Sequence, residues 1–239
     1  MAKLRSVIGS GFSGRIGNVV GARSKGGEYV IRARAEEVNN PNTLRQRVSR
    51  LRLKLASQLA AGLAAAIQSG YAFSTNGTKM YPRNMFVAGL IKDYTALTIV
   101  PATMQYEVDY GAVKVAKRNG ISAVPDCGTP NFETAGQVTI PINKLEYSDV
   151  LPAGKMGVVF AVYEPDSNAC MVDMMEAPTN ASGSITINLP SSWSGATVHV
   201  YAFCKWIPET GNEVTTTTEP WKYPAQTGDS VYVGTGSVA

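Results

Sequence analysis

Gly9, Gly11 and Gly14 stand in G-x-G-x-x-G spacing within VIGSGFSGRIGNVVG, Val7 to Gly21. That spacing cradles a dinucleotide when a strand feeds a tight turn and the glycines open a helix whose N-terminus faces the pyrophosphate. Here only a short apolar run, Leu4 to Ile8, precedes the glycines. Behind them Arg15-Ile16-Gly17-Asn18-Val19-Val20-Gly21 adds two more glycines and three β-branched residues, a poor start for a helix. The stretch is therefore expected to bind no nucleotide. Its glycines suit an extended arm, where they give φ freedom and let another backbone approach closely.

The other groups that do chemistry are sparse. His199 is the only histidine, set in VHVYAF, where Val198, Val200 and Ala202 alternate with His199, Tyr201 and Phe203. Acid–base work needs a partner and a pocket, so a lone strand histidine is expected to be a structural hydrogen-bonding residue. Cys127, Cys170 and Cys204 are odd in number and far apart, unlike the close pairs of a zinc site, and are expected to be buried small apolar side chains. No Ser or Cys stands in a nucleophile-elbow context. Glu36-Glu37 and Asp149 fall in predicted loops or edges, with no pair suggesting glycosidase geometry. No catalytic residue, metal site or cofactor is expected, and enzyme is the least favoured class.

Cations are the feature that stands out. Residues 1–54 hold twelve Lys and Arg against three acids, a net of +9, and residues 55–239 carry −5, within a total of +4. A basic head on an acidic body points to a negative partner, either nucleic acid or an acidic protein surface. In the arm the candidate partner-binding residues are Arg15, Gly17, Asn18, Gly21 and Arg23. Further on they are Arg45, Arg47, Arg50, Arg52 and Lys54. Three readings of this second group stay open: a solvated face beside a packed stripe, phosphate anchors on nucleic acid, or contact with an acidic protein neighbour. Aromatic residues do not interleave with the arginines, which argues against a stacking platform for single strands.

The elements that would position these residues follow from pattern. At 239 residues, with 44% hydrophobic and 17% charged residues, the chain reads as an ordinary globular protein. Residues 1–38 read as a glycine-rich basic arm or hairpin, with β-prone runs Ile16 to Arg23 and Glu28 to Ala35 joined at Ser24-Lys25-Gly26-Gly27. Having little side-chain volume to bury, the arm is expected to become ordered by lying on another surface. Residues 39–100 read as a helical segment. Asn39-Asn40-Pro41-Asn42-Thr43 signals a helix start, with Asn as the cap candidate. Leu44, Val48, Leu51, Leu55 and Leu59 then recur as an apolar stripe, and Gly70 marks the end. Arg47, Arg50 and Lys54 line one side of that stripe, Arg45 and Arg52 the other. A polar loop, Ser74 to Lys79, leads to a second helix opened by Pro82, with Phe86, Leu90 and Tyr94 on its apolar face.

Residues 101–239 read as an antiparallel, immunoglobulin-like β-sandwich, because short strands recur at regular spacing between Gly, Pro, Asn and Asp. They are expected near Gln105–Tyr110, Ala112–Lys117, Gly136–Ile142, Gly157–Tyr163, Ala169–Met174, Ser184–Leu189, Thr197–Cys204 and Ser230–Val233. The fold class is thus α+β, mainly β: arm, two helices, sandwich. No membrane span and no signal peptide are recognised. Asn76-Gly77-Thr78 and Asn180-Ala181-Ser182 match the glycosylation pattern, which means little without secretion.

The arm GRIGNVVGARSKGGEYVIRAR, followed by NPNTLRQRVSRLRLKLASQLA, resembles the N-terminal signature of an uncharacterised family found in Bacteroidota and their phages. The resemblance continues in RNMFVAGLIKD, in GSITINLPSSWSGATVHVYAFC and in SVYVG. The chain departs from the signature in Ala88-Gly89 and in the insert KWIPETGNEVTTTTEPWKYPAQTGD. The resemblance carries no assigned activity, but it implies phage association. With the residue-level reading it yields an expected function: a virion structural protein, assembled in the host cytoplasm, placed in capsid, tail or their connection. Its partners would be other virion proteins and further copies of itself, with no membrane. Two alternatives stand beside this, a packaged protein contacting the genome and a host-encoded module binding glycan or protein.

Overall fold

The computed structural model describes residues 2–4, 14–23, 29–34, 42–72, 75, 78, 80–119, 123–144, 154–176, 183–208 and 226–239. Gly9, Gly11, the Ser24–Gly27 turn, Glu36-Glu37, Asn39 to Pro41, both glycosylation asparagines, Asp149 and residues 209–225 of the insert lie outside them.

The basic head forms a four-stranded antiparallel sheet. Strands β1 (Ala2–Leu4), β2 (Gly14–Ile16), β3 (Val19–Arg23) and β4 (Tyr29–Ala33) pair in the order β1-β4-β3-β2. β3 and β4 pair with Val19 opposite Ala33 and Arg23 opposite Tyr29. The expected unbroken run from Ile16 to Arg23 is corrected: a two-residue hairpin turn at Gly17-Asn18 interrupts it. Gly17 sits at φ +54° in the first turn position, where a two-residue hairpin favours glycine. Gly14 begins a strand, not a helix.

Helix α1 (Leu44–Gly62) starts at a reciprocal cap. The Thr43 side chain accepts the Gln46 N–H, and the Gln46 side chain accepts the Thr43 N–H. Threonine thus takes the capping role expected of an asparagine. The single long helix is also corrected: it breaks at Leu63, and α2 (Ala64–Tyr71) follows. Gly70 does not terminate it. The glycine lies inside α2, where an added Cβ would fall 2.6 Å from the Ala116 Cβ, so its bareness lets the 113–116 segment press on the helix. Helix α3 (Pro82–Lys92) has Pro82 at its first position and buries Phe86 and Leu90. Tyr94 lies beyond its end.

Strands β5 (Leu97–Ile99) and β6 (Tyr106–Val108) make a small ribbon, followed by a 3₁₀ turn at Tyr110–Ala112. The strand expected over Ala112–Lys117 does not form, although Val113, Val115 and Ala116 are buried. Side chains satisfy part of its backbone instead: Val115 N–H donates to Ser230 Oγ at 3.0 Å, and the Tyr71 hydroxyl donates to the Lys114 carbonyl at 2.8 Å.

The remaining strands form two sheets. Strands β7 (Asp126–Cys127), β8 (Gln137–Lys144) and β11 (Gly183–Asn188) lie in the order β11-β8-β7. Strands β9 (Gly154–Glu164), β10 (Ala169–Glu176), β12 (Thr197–Pro208) and β13 (Val231–Ser237) lie in the order β10-β9-β12-β13, every pair antiparallel. The first, second and fifth strands therefore share one sheet and the third, fourth, sixth and seventh the other, an immunoglobulin-like arrangement. β9 is buried on both faces. Val158, Phe160 and Val162 face the three-stranded sheet in one core, while Val159, Ala161 and Tyr163 join the helices in another. Val200 and Ala202 against Tyr201 and Phe203 repeat the division on β12. Helices, four-stranded sheet and three-stranded sheet thus stack in three layers.

Candidate interaction site

The register of the arm sheet sorts its side chains by chemistry. Arg15, Val20 and Arg32 lie opposite one another across β2, β3 and β4, so they share a face, and strand alternation adds Arg34. On the other face, Ile16 sits opposite Val19, itself opposite Ala33, and Gly21 sits opposite Ile31. Arg23 and Tyr29 belong to this second face, where the guanidinium lies 5.6 Å from the ring centroid. One side of the sheet is basic and the other apolar. Ile16 is 65% exposed and Val19 37%, and no described arm residue joins either hydrophobic core. The structure places the five arm candidates as follows: Arg15 on the basic face, Gly17 and Asn18 in the turn, Gly21 and Arg23 on the apolar face.

The helix candidates divide in the same manner. The chain carries no acid between Glu37 and Asp93, and the first turn of α1 holds none to offset Arg45 and Arg47. Cations at that end oppose the helix dipole. Arg45 and Arg52 border an open groove of about 630 Å³ floored by Leu44, Val48, Ile91, Ile99 and Pro101. Arg52 packs its guanidinium 4.0 Å from the centre of the Tyr94 ring and donates to the Leu97 carbonyl at 3.4 Å, while its Nε is buried without a hydrogen-bond partner. Arg50 turns away and donates to Asn42 Oδ1 at 3.1 Å. Arg47 and Lys54 are exposed. The ten candidates thus occupy several surfaces, and only Arg45 and Arg52 line the groove. Tyr94, Ile91, Ile99 and Pro101 were not singled out as site residues: they lie more than 35 positions from Arg52 or Arg45, and no local pattern links them.

Groups that could do chemistry elsewhere are held in packing. His199 stacks 4.0 Å from the Tyr110 ring and its Nδ1 pairs with the Tyr232 hydroxyl at 2.9 Å, with burial holding its pKa below the usual imidazole value. Lys205 Nζ donates to Ser69 Oγ at 3.4 Å, and burial lowers its pKa as well. Cys204 is buried as expected, but Cys127 and Cys170 are only half-buried. Burial pushes all three thiols up to about 12, so they remain protonated. Among the described residues no three His, Cys, Asp or Glu side chains gather to hold a metal, and no helix is long and apolar enough to cross a membrane.

Residues 11–218 match the family described as Family of unknown function (DUF6266), and the chain belongs to that family. No curated protein and no solved structure matches it.

Proposed function

We propose that this DUF6266 member is a non-enzymatic assembly subunit, a structural component of a bacteriophage particle, that docks on neighbouring protein through its N-terminal arm. The observation behind this reading is the two-faced arm sheet, whose apolar side chains Ile16 and Val19 stand exposed outside both cores. A sheet that adds nothing to its own protein's cores gains its burial by covering another surface. The phage context rests on the resemblance of the GNVVG arm and of the basic helix that follows it.

Particles purified from the producing strain test the proposal by mass spectrometry and co-sedimentation. Wild-type chain is expected in stoichiometric amounts, and Ile16→Asp combined with Ile31→Asp is expected to leave the chain in the supernatant. Particles free of the wild-type chain would overturn it. The basic face, with Arg15, Arg32 and Arg34, favours a second reading in which the arm lies on the packaged genome. Duplex binding with a steep log–log salt slope, weakened by Arg15→Gln with Arg32→Gln, would establish that reading instead.

A further inference from the structure

We propose that the chain also associates head to tail with copies of itself, the α1 groove of one copy receiving the edge strand β10 of the next. This rests on the assembly reading above, but it uses a surface separate from the arm.

The groove offers an apolar floor with Arg45 and Arg52 on its border, and no acid occurs from residue 38 to residue 92 to answer those cations locally. Leu44 is 49% exposed at its mouth and Tyr94 68%. Its occupant should therefore present a large flexible apolar side chain beside a carboxylate. β10 carries that combination. Among the described residues it pairs only with β9, which makes it an edge of its sheet, and it exposes Met171 and Met174 around an exposed Asp173. An eight-residue edge strand with two exposed methionines is a ready template for association unless something covers it. Alternation points Met171 and Met174 to opposite faces, so the strand would enter as a ridge with one methionine toward each wall. Asp173 shares the face of Met171, two residues along the strand, and would meet Arg45 or Arg52 on that wall.

Within one copy β10 contributes nothing to the lining of the groove. The net charges, +9 over residues 1–54 and −5 over the rest, favour the basic head of one copy on the acidic body of another. Because groove and strand are different surfaces, the contact is heterologous and repeats from copy to copy, giving a ring where it closes and a filament where it does not.

Sedimentation of the full chain, with two exposed-site variants, tests this. The groove variant is Leu44→Glu with Arg45→Glu; the edge variant is Met171→Lys with Met174→Lys. Wild type is expected to form species larger than a dimer as concentration rises, and each variant alone to lose at least tenfold in association constant. Mixed together, the two variants keep one intact contact between them, so they should form a one-to-one pair and nothing larger. Circular dichroism and thermal melts of each variant confirm folding. A monomeric wild type, a single variant that associates like wild type, or a mixture that stays monomeric overturns the contact. So does a groove that retards duplex DNA in wild type but not in its variant while self-association is unchanged. Any of these leaves the arm reading standing, because that reading is decided by particle co-sedimentation of the Ile16→Asp, Ile31→Asp chain.

Discussion

Two glycine substitutions separate the arm from the body. An added Cβ at Gly17 meets no atom within 4 Å, so the cost of Gly17→Val is conformational. A side chain held at φ +54° costs about 1–2 kcal/mol, and a β-branched one resists that region further. This cost falls on the Gly17-Asn18 turn and the β2–β3 pairing. Because no described arm residue enters either core, the main thermal transition should move by no more than about 2 °C, the range of a neutral surface substitution. Gly70→Ala is the contrast. Its Cβ would lie 2.6 Å from the Ala116 Cβ and against the Val115 carbonyl, where backbone on both sides must move. Overpacking of this kind costs about 1–3 kcal/mol, equivalent to a Tm lower by about 2–12 °C in a chain of this size. Differential scanning calorimetry reads the body, and amide exchange over 14–34 against 156–206 reads the two regions separately. Faster exchange confined to the arm is expected for Gly17→Val, and a lower Tm for Gly70→Ala. If Gly17→Val lowers the main transition as far as Gly70→Ala does, the arm unfolds with the body and the separation argued here is wrong.

Thr43→Ala removes the side-chain oxygen that accepts the Gln46 N–H, while the backbone N–H of residue 43 can still donate to the Gln46 side chain, and should cost about 1 kcal/mol in urea denaturation, with Gln46→Ala costing less because the threonine acceptor remains. Stability should also depend on pH through His199. Burial holds its folded pKa below 6.5, so the unfolded chain takes up the proton first: stability is full above about pH 6.5 and falls as pH drops through that value toward the folded pKa. Urea titrations at pH 7.5 and 5.5 should show a smaller loss in His199→Gln than in wild type. Glu164 does not interfere there: burial raises its pKa, but hydrogen bonds from the Ser167 hydroxyl and from the Ser167 and Asp166 N–H groups outweigh that and hold it below 4.5.

Much of the fold was legible because it follows from period. The stripe from Leu44 to Leu59 repeats every three or four residues, and α1 buries Leu55 and Leu59 from it. The run VVFAVY of β9 reads as a buried strand, but apolarity at every position cannot say what lies on each face; the second cover is three helices far away in sequence. Val113 and Val115 misled for a related reason. They alternate as in a strand, yet their segment packs against Gly70 and a hydroxyl of the C-terminal region. Gly70 itself fits a helix end or a close contact equally well from sequence. In the candidate site the arginines were legible, and so was the separation of Arg45 and Arg52 from Arg47, Arg50 and Lys54 along the helix, but the faces of the arm were not. The basic and apolar sides of the arm depend on where the hairpin turns, and a one-residue shift would exchange them. The pairing of Arg52 with Tyr94 spans 42 positions and depends on tertiary packing alone.

The three-layer arrangement restricts where recognition can occur. Helices cover one face of the four-stranded sheet and the three-stranded sheet covers the other, so the central strands β9 and β12 are closed to a partner on both faces. The outer face of the three-stranded sheet is solvated, but it is a polar ladder: Gln137 bonds Asn188 at 3.0 Å, and the Thr139 and Thr186 hydroxyls lie 3.1 Å apart. Those groups satisfy one another and offer no large apolar anchor, so a partner there would gain little for displacing water. Among the described surfaces that combine exposed apolar area with charge are the arm, the α1 groove and the β10 edge. The first two are basic and the third carries Asp173, and they lie on different elements. In the proposed assembly, opposite charges on these separate surfaces would orient each copy among its neighbours, and added salt should weaken that orientation before it weakens the fold.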